Sequence, residues 1–286
     1  MALDGCNHLI QRFEETIANP VRPVPGSSLY TGVDLGTAYI VLAVVDGQGQ
    51  PVAGAMRFAQ VVKDGLVVEY MRAVEIVKEL KAELEARLGT ELYAAATAYP
   101  PGTGGADMRA IRYVAQSAGF DVRGSIDEPT AANAVLGITD GAVVDIGGGT
   151  TGVAVFRKGE VVYVADEPTG GTQFSLVIAG ALKIPFEEAE TMKIDPAQED
   201  RLQPLIRPVM EKVASIIRTH IKEYTVPTLY LVGGTSCNKY IGGVIAQETG
   251  LTVVKPGNPF LVTPLGIALH AVAADQESVD RSQEPG

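Results

Sequence analysis

The stretch Val143-Val144-Asp145-Ile146-Gly147-Gly148-Gly149-Thr150-Thr151-Gly152-Val153-Ala154-Val155 constrains this chain more than any other. A β-rich apolar run enters a cluster of glycines and hydroxyls and leaves directly as another apolar run. Glycines let a backbone approach an anion closely with N–H groups aimed at its oxygens, and the hydroxyls of Thr150 and Thr151 add side-chain donors. A carboxylate beside such a loop repels phosphate unless it faces a divalent cation and its water shell, so Asp145 is read as a ligand of Mg²⁺ through water. Gly147, Gly149 and Gly152 also satisfy G-x-G-x-x-G, a dinucleotide fingerprint that has to open a helix. The residues that follow, 153–164 with Lys158-Gly159 at their centre, predict a β-hairpin instead, and the dinucleotide reading fails on that context. A tight hairpin with no ligand is the plain structural alternative.

A second copy shifts the balance. Gly32-Val33-Asp34-Leu35-Gly36-Thr37, followed by an apolar run to Val45 and the turn Asp46-Gly47-Gln48-Gly49, repeats strand, aspartate, glycine turn, strand. Such repetition predicts two domains of one pattern, with a nucleotide held between two phosphate-gripping hairpins. Asp34, Gly36 and Thr37 then match Asp145 and residues 147–150.

These stretches, with three more, resemble the superfamily of actin, the heat-shock chaperone ATPases and the sugar kinases. Asp127-Glu128-Pro129-Thr130-Ala131-Ala132-Asn133-Ala134 looks like the first connecting helix of the DnaK-type chaperones. Leu229-Tyr230-Leu231-Val232-Gly233-Gly234-Thr235-Ser236 looks like the adenosine motif, and Thr263-Pro264-Leu265-Gly266-Ile267-Ala268-Leu269-His270-Ala271 like the second connecting helix. The resemblance implies an α/β fold of duplicated ribonuclease-H-like, actin-like ATPase domains facing a nucleotide cleft. It implies ATP and Mg²⁺ as cofactors, with Asp34 and Asp145 holding the metal through water and Glu128 placing the attacking water or the metal shell. It further implies nucleotide contacts from residues 147–151, from Gly170, Gly171 and Thr172, and from Gly233, Gly234 and Thr235.

Two departures qualify this. Residues 184–201 form only a short polar insert where many relatives carry a lid, so the lid subdomain is reduced and the basic side chains with which relatives clamp the base are in doubt. Ala38 and Tyr39 follow Thr37 where heat-shock chaperones carry further hydroxyls. ATP binding with slow hydrolysis is the expectation. The implied division is an N-terminal amphipathic segment and Pro-rich linker (1–28), ATPase domain I (29–138), ATPase domain II (139–262), a C-terminal connecting helix (263–274) and a polar tail (275–286).

Composition excludes several classes. A net charge of −11 disfavours a nucleic-acid surface. Two cysteines, Cys6 and Cys237, argue against a disulfide framework, and the three histidines have no zinc spacing. No apolar run reaches the ~18 residues of a membrane span and the N-terminus lacks a basic region before an apolar core, so a cytoplasmic protein is expected. Helical spacing of Val74, Val77, Leu80, Leu84 and Leu88 before Gly89 predicts a scaffold helix, a third strand is expected over residues 52–62, and Ile206, Val209, Met210, Val213, Ile216, Ile217 and Ile221 line one amphipathic helix.

Within residues 8–18, Leu9, Ile10, Phe13 and Ile17 make one apolar face on a helix too short to be stable alone. The proline-rich connector behind it is expected to be extended and mobile. That combination favours docking on a client or shell protein of a bacterial microcompartment, the alternative being that the helix folds back on domain I. The short length and missing peptide-binding domain resemble the ethanolamine-utilisation branch of the superfamily, which is associated with such compartments. An ATP-switched chaperone-like or reactivating factor for microcompartment enzymes is preferred over an actin-like filament or scaffold protein and over a non-catalytic structural relative.

Overall fold

The computed structural model describes residues 3–63 and 65–283. The elements are α1 (Asp4–Ala18), β1 (Leu29–Leu35), β2 (Tyr39–Asp46), β3 (Pro51–Phe58), β4 (Val62–Lys63), β5 (Leu66–Val67), α2 (Tyr70–Leu88), β6 (Ala94–Tyr99), α3 (Gly105–Ser117), β7 (Asp121–Asp127) and α4 (Glu128–Leu136). They continue with β8 (Gly141–Ile146), β9 (Thr151–Arg157), β10 (Glu160–Glu167), α5 (Gly171–Leu182), α6 (Phe186–Ile194), α7 (Glu199–Ile221), β11 (Thr228–Val232), α8 (Ile241–Thr249), β12 (Thr252–Val254) and α9 (Val262–Gln283). The chain divides into two compact units, Met1–Gly137 with Leu261–Gly286, and Ile138–Phe260.

Each unit holds a five-stranded sheet, ordered β3-β2-β1-β6-β7 in unit 1 and β10-β9-β8-β11-β12 in unit 2. In both, the first three strands form an antiparallel meander and the last two run parallel to its final member. The repeat seen in the motifs is therefore a repeat of whole α/β units, as the sequence predicts. Asp34 pairs with Val41 and Asp145 with Gly152, and the hairpin loops fill residues 36–39 and 147–150 in the same register.

In unit 1 one face of the sheet packs against α2 and α3 around Val33, Leu42, Val77, Leu80, Leu84 and Val114. Gly89 caps α2 in the left-handed conformation, at φ 69°. The crossings of α9 depend on small residues: a Cβ on Gly32 would meet Pro264 O and Ala268 N at 2.5 Å, and one on Gly266 would fall on the Ala131 carbonyl of α4. The conformity of Thr263-Pro264-Leu265-Gly266 to the motif thus has a packing cause.

Two expectations need correction here, and one strand was not foreseen. The third strand stops at Phe58 because its partner β2 begins at Tyr39, after which Ala59 N–H turns to the Ala38 carbonyl at 3.0 Å. The polar run Asp121–Asp127 carries no apolar alternation, yet it forms β7 because β6 supplies a parallel partner along its length. The connecting helix expected to end at residue 274 continues to Gln283. Residues 63–65 fall partly outside the described residues, at Asp64.

The N-terminal segment is also corrected. Helix α1 starts at Asp4, earlier than expected, and folds back onto its own unit: Phe13 and Ile10 are fully buried, and the Phe13 and Ile17 side chains sit over Gly54 of β3, where a Cβ would come within 3 Å of both. Arg87 donates to the carbonyls of Ile17 and Ala18 at 2.6 and 3.2 Å, and Val21 N–H donates to Val52 O at 2.8 Å. The apolar face assigned to a shell or cargo partner is used inside the chain, because β3 is an edge strand whose free face needs covering.

In unit 2, α5, α7 and α8 pack on one face of the sheet around Val144, Val153, Phe174, Ile206, Met210 and Ile217. The polar insert is reduced to α6 and a single 3₁₀ turn, Pro196–Gln198, before α7.

Candidate functional site

The second sheet ends its parallel strands β8 and β11 at the same edge, since Val232 pairs with Asp145. Loops beyond the carboxyl ends of parallel strands are where open α/β sheets take ligands. Three loops meet there, from residues 147–150, 170–172 and 233–235. Gly171 N–H donates to Gly147 O at 3.0 Å, Thr172 N–H to Gly148 O at 2.7 Å, and the Thr235 hydroxyl to Gly147 O at 2.7 Å. Segments far apart in sequence are thereby tied into one cluster.

The glycines have reasons specific to this packing. A Cβ on Gly170 would stand 2.7 Å from Gly147 O and 2.9 Å from Gly148 O, and one on Gly171 2.5 Å from the Thr235 hydroxyl. Gly233 has φ 86°, and a side chain there would fall on Asp145 Oδ1 and lie 2.6 Å from Ile146 O. Asp145, 6% exposed at the end of β8, occupies that space. Gly234 opens a 3₁₀ turn (Gly234–Cys237) under the Phe260 ring.

Several expected contacts are redirected by this geometry. The amides of Gly170, Gly171 and Thr172 are engaged by the Gln173 side chain and by the Gly147 and Gly148 carbonyls, so those glycines serve loop–loop packing. Thr151 is fully buried and its hydroxyl donates to Thr169 O at 2.6 Å, which holds the second loop down; it faces the protein, and the expectation that it contacts nucleotide is withdrawn. Gly147 N–H closes the turn on Thr150 O at 3.0 Å, and among the described residues the amides of Gly148 and Gly149 make no backbone hydrogen bond. The crest of the first loop is therefore the part that presents backbone donors.

Two side chains missed in the sequence stand at the cluster. Lys193 Nζ lies 3.1 Å from Gly171 O and 2.7 Å from Glu190 Oε2, and Ser175 also donates to Glu190. Burial lowers the Lys193 ammonium pKa, and the Glu190 carboxylate opposes that shift only in part. Both come from α6, so the insert, although short, delivers a buried lysine to the loops. Its signal in the sequence is the i,i+3 spacing of Glu190 and Lys193, which the polar composition of the insert conceals. A further lysine, Lys255, donates to Ser236 O and Asn238 O at 3.0 and 2.8 Å and fixes the turn after Gly234.

Unit 1 repeats the edge. Asp34 ends β1, and Gly36 lacks the Cβ that would press on Tyr39 O at 2.8 Å. Tyr39 packs its ring against Phe58 in a T-shaped pair, with centroids 5.5 Å apart. Glu128 opens α4 directly after β7, and Asp127 caps the helix by accepting from Thr130 N–H at 3.0 Å. Pro129 in the first turn fits that start. Asp34 and Glu128 thus stand at the carboxyl ends of two strands of one sheet, with β6 between them.

The MreB/Mbl protein family matches residues 50–195, and the cell division protein FtsA family residues 142–266. MreB 5 of Spiroplasma citri, in a crystal structure bound to AMPPNP, superposes with a TM-score of 0.72 at 15% identity, covering 90% of this chain and all of that one, which shows the shared fold. The crystal structure of the ethanolamine utilization protein EutJ from Carboxydothermus hydrogenoformans superposes with a TM-score of 0.87 at 50% identity, covering 93% of this chain and 99% of that one. Ethanolamine utilization protein EutJ of Salmonella typhimurium is 41% identical over 271 residues, which is 94% of this chain and 95% of that protein. With this identity running through both chains, and the duplicated sheets and their glycine loops in place, the chain belongs to the EutJ family of ethanolamine utilization proteins, within the actin-like ATPase superfamily.

Proposed function

We propose that the chain binds Mg-ATP through the loop cluster of unit 2 and acts as a nucleotide-dependent, chaperone-like factor for enzymes of ethanolamine utilization, including those housed in a microcompartment. The observation that carries the reading is the joining of residues 147–150, 170–172 and 233–235 at the carboxyl edge of β8 and β11, with the Gly148 and Gly149 amides at its crest. AMPPNP in the fold relative MreB 5 supports a nucleoside triphosphate as the ligand class.

The residues fit this group. The first loop offers backbone N–H groups and Thr150 to phosphate oxygens, Lys193 is a cation beside the second loop, and the loop of Gly233, Gly234 and Thr235 is the segment proposed for the nucleoside. Among the described residues no three His, Cys, Asp or Glu side chains cluster to hold a metal by themselves. Mg²⁺ suits such a site, because it would arrive on the phosphates, keep most of its waters and need one or two carboxylates, the role proposed for Asp145 in unit 2. When bound, Mg²⁺ neutralises phosphate charge. Asp145 and Glu128 orient water, and since phosphoryl transfer depends on positioning, loss of hydroxyls near Tyr39 slows turnover more than binding.

Calorimetry with Mg-ATP, and a steady-state ATPase assay on Asp145→Asn and Glu128→Gln, test the reading together. Binding at micromolar concentration, with turnover falling at least ~100-fold in both variants, supports it. Absence of heat with folded protein removes the nucleotide and leaves a structural relative. Binding with wild-type turnover in both variants removes the assigned roles. A filament reading predicts ATP-dependent sedimentation, which this proposal does not.

A further inference from the structure

The short insert of unit 2, residues 186–200, comprises α6, the 3₁₀ turn and the start of α7, and its side chains tie it to two of the three loops. One end meets the second loop. Lys193 Nζ donates to Gly171 O at 3.1 Å, and Glu190, which holds that ammonium at 2.7 Å, accepts from the fully buried Ser175 of α5.

The other end meets the segment behind the third loop. Glu199 Oε1 accepts from Lys239 N–H at 3.1 Å, and Asp200 accepts from the Tyr240 hydroxyl and the Lys239 ammonium. That segment continues the 3₁₀ turn Gly234–Cys237, in which Asn238 N–H closes on Thr235 O at 3.2 Å. Lys255 fixes the same turn from its Ser236 and Asn238 carbonyls. A shift at Lys239 is therefore passed to Thr235 through a single turn.

Between its two ends the insert is stiff. Asp195 caps the 3₁₀ turn by accepting from Ala197 N–H at 2.9 Å, while Ala189 within the insert and Leu202 just beyond it are buried in the unit 2 core. A cover that swings over a ligand needs slack, and here both ends grip main chain, at Gly171 O and Lys239 N–H. Such contacts fix where a loop runs. We propose, on the reading that this cluster takes Mg-ATP, that the insert is a brace: Lys193 with Glu190, and Glu199 with Asp200, are positioning residues that hold the 170–172 and 233–235 loops about the 147–150 loop. The ligand then meets a site already ordered, which lowers the entropic cost of binding. Because one stiff piece is joined at two points, releasing either end loosens the other.

Amide hydrogen exchange on the ligand-free full chain tests the brace, with rates taken relative to the β8–β9 ladder. Glu199→Ala is expected to speed exchange of the Gly171 and Thr172 amides by about tenfold or more, although Glu199 grips the other loop, and Lys193→Met to do the same at Lys239. Glu199→Gln keeps an oxygen for Lys239 N–H and is expected to restore slow exchange. Calorimetry with Mg-ATP and with Mg-tripolyphosphate then reads the site. Lys193→Met is expected to weaken both ligands by one factor, about fivefold or more, and adding Glu199→Ala to cost little further, because coupled positions are not additive. The brace is overturned if each substitution speeds exchange only in the loop it touches, if Glu199→Gln exchanges as Glu199→Ala does, or if the two losses of affinity multiply. Weakening of Mg-ATP alone by Lys193→Met also overturns it, since the lysine would then grip the nucleoside directly. No heat from wild type with either ligand removes the nucleotide reading, and the exchange pattern by itself then decides the brace.

Discussion

The Thr235 hydroxyl donates to the Gly147 carbonyl oxygen at 2.7 Å across 88 positions of sequence, and so pins the loop of residues 233–235 to that of residues 147–150. Thr235→Val keeps the shape and removes the donor. A net hydrogen bond is worth about 1 kcal/mol, so Mg-ATP affinity should fall roughly fivefold or more, and Thr235→Ser should restore it. Calorimetry on the three proteins decides this, and equal affinities would show that the loops are held by other means.

Gly233→Ala should destabilise unit 2 by about 2 kcal/mol or more, because its Cβ collides with Asp145 and with Ile146 O in a left-handed backbone that alanine resists. Urea unfolding measures it. An unchanged midpoint would mean that the Asp145 carboxylate is free to swing away.

Lys193 gives a signed pH dependence. Its folded pKa lies below the ordinary lysine value of 10.5, with burial as the cause. Between the two values the unfolded chain binds the proton more than the native chain does, so the contribution of Lys193 to stability rises with pH through that window. Wild type should gain on Lys193→Met as the pH is raised from neutrality toward 10. A difference in unfolding free energy that stays flat would place the ammonium in water.

Phe13→Ala should cost about 3–5 kcal/mol, the range for emptying a buried aromatic site, because the ring is fully buried over β3. Thermal melting checks it. A variant as stable as wild type would return α1 to the role of a detachable tag.

Much of this molecule was legible from local pattern. The strand, aspartate, glycine turn and strand of residues 143–155 and 32–45 announce a hairpin that must be tight, and repetition announces the duplicated α/β fold. Local chemistry alone sets those features: glycine is needed wherever another backbone comes within about 3 Å, and apolar strands must be buried on a sheet. The sequence also placed the stripe of α7 and the cap at Gly89.

Tertiary structure decided what the glycines are near. Gly170 and Gly171 read as anion donors, yet they abut the Gly147 and Gly148 carbonyls, because amides and carbonyls of distant loops satisfy each other before any ligand does. Lys193 looks like a solvated lysine of a polar helix until α6 packs under the second loop and buries it. The strand β7 exists only because β6 lies beside it, and the fate of the α1 face was settled by an edge strand far along the chain. Periodicity tells which face of a helix is apolar; it carries no information about which surface will be there to cover it, since that surface is assembled from residues whose neighbourhood only the folded chain defines.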